Sequence, residues 1–152
     1  MKKTVFGLMP ALLLISMFTL TLNVQPVKAG GTIYIRADGS VEGTDKIQRA
    51  GHIYTFTDNI NDSIVVEKDN IMLDGAGYTL QGTGSGTGID LTERNNITNK
   101  NMTIKAFSCG IYLHSSSNIN ISDNNVTSNF RGIWFDSSSN NNISRNNITN
   151  KY

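Results

Sequence analysis

Residues 110–131 read GIYLHSSSNINISDNNVTSNFR, and residues 132–152 read GIWFDSSSNNNISRNNITNKY. The second stretch repeats the first at an offset of 22 positions. Gly88, Gly110 and Gly132 each open a unit, Ile89, Ile111 and Ile133 follow, and Leu91, Leu113 and Phe135 come two residues later. Ile104, Val126 and Ile148 align further along, as do Ile121 and Ile143. Within each unit apolar and polar residues alternate, as in G-I-x-L and N-I-x-I, which is the two-residue period of a strand. The strands are short, interrupted by Ser-Ser-Ser-Asn and Asp-Asn-Asn clusters. Beyond the amino-terminal segment no i, i+3, i+4 apolar stripe occurs, and Asn, Ser and Thr are weak helix formers. Self-similarity at this fixed period predicts a solenoid.

Two solenoids have periods near this length. Leucine-rich repeats need L-x-x-L-x-L-x-x-N with a looped or helical return, and that pattern is absent. A parallel β-helix needs three short strands per coil with one or two inward apolar residues on each, which this chain supplies. Coils stacked at about 4.8 Å place equivalent residues in columns. Asn124 then lies beneath Asn146, where their amides can bond along the axis as a structural ladder. Each coil is thus a template for the next.

Upstream the pattern loosens. In residues 63–88 Ile71 and Leu73 alternate inward, and Asp74-Gly75-Ala76-Gly77 reads as a tight turn. The run from Gly82 to Gly88 supplies positive φ, and with no helix after it a phosphate loop is not indicated. Residues 30–62 are expected to form an N-terminal β cap, with strands at Thr32–Ile35 and Ile53–Thr57, because a solenoid must cover its open end. Residues 63–152 then form the repeats.

Residues 1–29 read as a signal peptide. Lys2 and Lys3 precede an apolar run from Val5 to Leu22, and Val27-Lys28-Ala29 ends in a small residue suited to cleavage. The apolar run is about the minimum length for an uncleaved membrane anchor, and Pro10 within it favours cleavage. The remainder is expected to be secreted or held at the cell surface. The formal net charge of +1 and the absence of a basic stripe indicate no nucleic-acid partner. Cys109 is the sole cysteine, so no internal disulfide forms and stability must come from packing and repetition.

The stretch D-N-I-x-L-D-G-x-G at 69–77, then G-I-x-L followed by S-S-x-N-x-I-x-x-N-x-I, resembles the right-handed parallel β-helix repeat proteins. More narrowly it is similar to the NosD-like group, the carbohydrate-binding and sugar-hydrolase β-helix domains abundant in archaeal surface proteins. The likeness covers residues 32–152. It implies an all-β, right-handed parallel β-helix. For function it implies several classes: a non-catalytic module that binds glycans or builds a surface layer, a polysaccharide lyase or hydrolase, and a periplasmic copper-maturation accessory. Asn99 and Asn141 depart from the pattern by placing amides in inward slots. The chain also stops at Tyr152 within a repeat, so a longer array is expected, and the open last coil is a candidate surface for self-association.

In G-I-x-L the x residue faces solvent, giving an outward column of Asp90, Tyr112 and Trp134. The next outward column is Thr92, His114 and Asp136. Neighbouring aromatic rings edged by carboxylates and an imidazole suit a polysaccharide or surface glycan, whose C–H faces stack on rings and whose hydroxyls bond the carboxylates. The same pair also serves as an ordinary strand stabiliser, and the residues alone leave both readings open. Asp90 and Asp136 lie two coils apart, and Arg131 beside them has no acid cluster, so no catalytic set is assigned. His52, His114 and Cys109 are scattered, so no metal site or cofactor is assigned. Seven N-x-S/T sequons occur, at Asn61, Asn96, Asn101, Asn120, Asn125, Asn142 and Asn147, of which Asn120 and Asn142 are expected to be exposed.

Overall fold

The structure, a computed structural model, describes residues 31–150. The expected signal peptide at 1–29 and the terminal Tyr152 lie outside the described residues. Among those described there are sixteen strands, and no helix long and apolar enough to cross a membrane.

The first four strands are β1 (Thr32–Ile35), β2 (Val41–Glu42), β3 (Ile47–Ala50) and β4 (Ile53–Phe56). Three-strand coils follow. The first is β5 (Ser63–Val66), β6 (Ile71–Asp74) and β7 (Thr79–Gln81), and the second is β8 (Thr87–Asp90), β9 (Ile97–Lys100) and β10 (Thr103–Lys105). The third is β11 (Cys109–His114), β12 (Asn120–Ser122) and β13 (Asn125–Asn129), and the fourth is β14 (Arg131–Asp136), β15 (Asn142–Ser144) and β16 (Asn147–Asn150). Successive coils pair in parallel and in register, as in Ile111 opposite Ile133 and Val126 opposite Ile148. Three sheets result, in the orders β14-β11-β8-β5-β1-β2, β15-β12-β9-β6-β4-β3 and β16-β13-β10-β7. We name them the front, flank and rear sheets. This is the parallel β-helix that the repeat predicts.

The inward columns form one apolar core. Ile33, Ile64, Ile89, Ile111 and Ile133 stack along the front sheet, and Leu80, Ile104, Val126 and Ile148 along the rear. Each fully buried Ile, Leu or Val contributes about 1.5–3 kcal/mol. The corners explain the polar half of the repeat. Asn70, Asn96, Asn118 and Asn140 all have φ between 55° and 59°. Asn tolerates this left-handed conformation because its short side chain bonds locally. Asparagine therefore recurs at a place where the backbone must reverse.

At the lower end β1 pairs with β5, β4 pairs with β6, and Ile60 bridges to Leu80, so the cap is itself an incomplete coil. Two hairpins decorate it, β1–β2 and β3–β4, and sequence reasoning missed β2 and β3. They are short antiparallel edges with little alternation to find them by. Buried Tyr54 anchors the arrangement, its hydroxyl donating to the Gly39 carbonyl at 2.9 Å.

Candidate functional site

The outer face of the front sheet carries the predicted residues. Strand alternation buries Ile111 and Leu113 and turns Tyr112 and His114 outward. The register then sets Asp90 and Trp134 on either side of Tyr112, and Asp136 opposite His114. The Tyr112 and Trp134 ring centroids are 4.9 Å apart at a 43° tilt, and His114 stacks 6.2 Å from Tyr112. His114 Nδ1 lies 2.9 Å from Asp136 Oδ2. The five residues picked from the sequence thus gather on one surface.

Two further residues complete that surface, and one of them was not picked. The Arg131 guanidinium sits 4.4 Å from the Trp134 centroid and 5.3 Å from that of Phe130. Phe130, 65% exposed, occupies the single-residue corner between β13 and β14. The signal was present: the coils below have Ser108 and Gly86 at that position, and only here is it aromatic. The columns also extend further toward the cap than the repeat revealed. Tyr34 and Val65 continue the Asp90 column, and Arg36 bonds Glu67 and Glu42 beside them.

The charges divide the face. Asp90 Oδ1 accepts from the Thr92 amide and hydroxyl at 2.9 and 2.6 Å, and Asp136 accepts from Ser137 and His114. Among the described residues no carboxylate lies within ion-pair distance of Arg131, which rests against ring faces with its N–H edge available. Partial burial, then Asp136 and Asp90, push the Tyr112 hydroxyl above its ordinary pKa, so it stays a neutral donor. Burial also raises the Cys109 thiol, against the pull of Arg131. Cys109 lies with Tyr112, Arg131 and Trp134 around a shallow cleft of about 290 Å³. A raised thiol is protonated and a poor nucleophile.

The glycine-rich stretch does more than turn. Between β7 and β8 the corner has five residues (82–86), where the next coil has three (106–108) between β10 and β11. Gly86 of this corner and Thr87 of β8 line the Cys109 cleft, and Thr83 and Gly84 line a rear-side cleft. The predicted ladder residues also sit at a corner. Asn124 Nδ2 donates to Asn146 Oδ1 at 3.1 Å, and Asn146 Oδ1 also receives the Asn124 amide at 2.9 Å. The sequon residues Asn120 and Asn142 are bonded to each other, Asn142 Nδ2 donating to Asn120 Oδ1 at 3.1 Å. Asn142 is exposed and Asn120 half-buried. Among the described residues no three His, Cys, Asp or Glu side chains gather as metal ligands would.

A family model described as a right handed beta helix region matches residues 46–152. Comparison with curated proteins and with solved structures finds no match.

Proposed function

Because the chain belongs to the right-handed β-helix family, we propose that it is an exported, non-catalytic β-solenoid module that binds glycan at the cell surface. Export rests on the leader-like residues 1–29. Binding rests on one observation: Tyr112 and Trp134 form a solvent-facing aromatic pair on a parallel sheet, with Arg131, His114 and Asp136 beside them. Trp134 is 41% exposed. Such rings present apolar faces to sugar C–H groups while the polar edges bond hydroxyls. A sheet site needs little reordering on binding, which keeps the entropic cost low.

The test is a glycan array with the intact chain, followed by titration of the hits. Trp134→Ala should weaken binding by about 1–3 kcal/mol with little change in stability, since the ring is half in solvent. An array that stays blank with intact protein overturns the reading and returns the two rings to a structural ladder.

A further inference from the structure

We infer that the binding surface turns the corner of the solenoid, and that the cleft beside Phe130 is a second subsite, for an uncharged sugar unit of the same ligand. This rests on the glycan reading of the front face and adds a residue and a ligand property to it.

The cleft is open and about 680 Å³, within the range of small-molecule sites. Its floor has a sequence cause. Gly84, Ala106 and Ser128 occupy one corner position of three successive coils, all with positive φ (97°, 60° and 57°), and all are small. Small residues in a column leave a trough along the axis. On one side stand the Thr127 and Thr149 hydroxyls, bonded to each other at 2.8 Å. On the other stands Phe130, the most exposed of the large apolar side chains described.

Among the described residues no charged side chain lines the cleft. A carboxylate or sulfate would gain no ion pair from these lining residues. A hydroxyl-rich ring loses little, because threonine and serine hydroxyls replace water and Phe130 supplies an apolar face. The front face differs, holding Arg131, Asp90, Asp136 and His114.

The two surfaces are continuous. The same Arg131 carbon lies 5.3 Å from the Phe130 centroid and 4.4 Å from the Trp134 centroid, so the rings stand within about 10 Å of each other. A short oligosaccharide reaches both, one ring on the front strip and another in the cleft.

The experiment titrates the 152-residue chain with neutral β-linked hexose oligomers and with their uronate counterparts, two to six rings each. Phe130→Ala should lower affinity for the longer neutral oligomers about ten-fold and leave the two-ring oligomers unchanged, whereas Trp134→Ala should weaken both. Thr127→Arg, which places a long side chain in the cleft and leaves Phe130 in the sequence, should act as Phe130→Ala does. Equal affinity of Phe130→Ala and Thr127→Arg to the parent at every length overturns the subsite and leaves the front strip standing. Phe130→Ala losses that ignore length, or that appear with uronates alone, also overturn it. If the parent chain binds no oligomer, both readings fall.

Discussion

Two buried asparagines show how one residue type acts with opposite sign. Asn124 is satisfied on every side: its Oδ1 accepts from the Met102 amide at 3.2 Å, and its Nδ2 donates to the Asn99 carbonyl and to Asn146. Asn99, fully buried between Leu73 and Ile121 in the flank column, has only a 3.7 Å contact from Nδ2 to Met102 Sδ, and its Oδ1 has no partner. Leaving a buried polar group bare costs about 1–3 kcal/mol. Asn99→Leu should therefore stabilise the fold by a similar amount while filling the apolar column. Asn124→Leu should destabilise it by about 1–3 kcal/mol for each group it leaves unpaired. Denaturant melts of the two variants decide this. A destabilised Asn99→Leu would show that the inward amide has a partner or a role in setting coil register.

Within a coil, the opening glycines are set by close approach. A Cβ added at Gly110 would lie 2.5 Å from the Gly132 carbonyl oxygen and 2.9 Å from Val126 Cγ1. Gly110→Ala must push two coils apart or reshape the Val126 packing, and should cost about 1–3 kcal/mol. A melt indistinguishable from the parent would mean the coil spacing yields more easily than close packing allows. The turns between flank and rear strands carry charge instead. Arg145 donates to Asp123 at 2.6 and 2.7 Å, and these bonds hold the Asp123 carboxyl below its ordinary pKa. A depressed folded pKa means the pair's contribution is intact above the unfolded value of about 3.9 and is lost as pH falls from there through the folded value. An NMR titration of the Asp123 carboxyl carbon should move up toward the ordinary range in Arg145→Met. An unchanged midpoint would remove Arg145 as the cause.

At the scale of the molecule, the repeat made the coils legible because each inward position recurs every 22 residues from Gly88 to Gly132, and a column needs no tertiary guess. The same logic placed Asp90, Tyr112, Trp134, His114 and Asp136 on one face. It was blind where a feature occurs once. The β2 and β3 hairpin strands belong to the cap alone, the two added residues at the glycine-rich corner break the period, and Phe130 substitutes an aromatic for a serine at a corner. Stability should follow the stacking. Each coil contacts only its neighbours, so protection is a sum of nearest-neighbour terms. Among the described residues no strand pairs with the outer edges of β14, β15 and β16, and Phe135, Ile143 and Ile148 on them are 41%, 38% and 43% exposed. Unpaired edges of this kind template further strands, from more chain or from a second molecule. We expect hydrogen exchange in the 152-residue chain to be slowest in β8 through β12 and fastest in β14 through β16, with concentration-dependent association in sedimentation. Grafting one further coil copied from residues 110–131 after the last should slow exchange in β14 through β16 and raise the midpoint of unfolding. Uniform protection across residues 87–150, with a concentration-independent monomer, would show that the last coil is already covered.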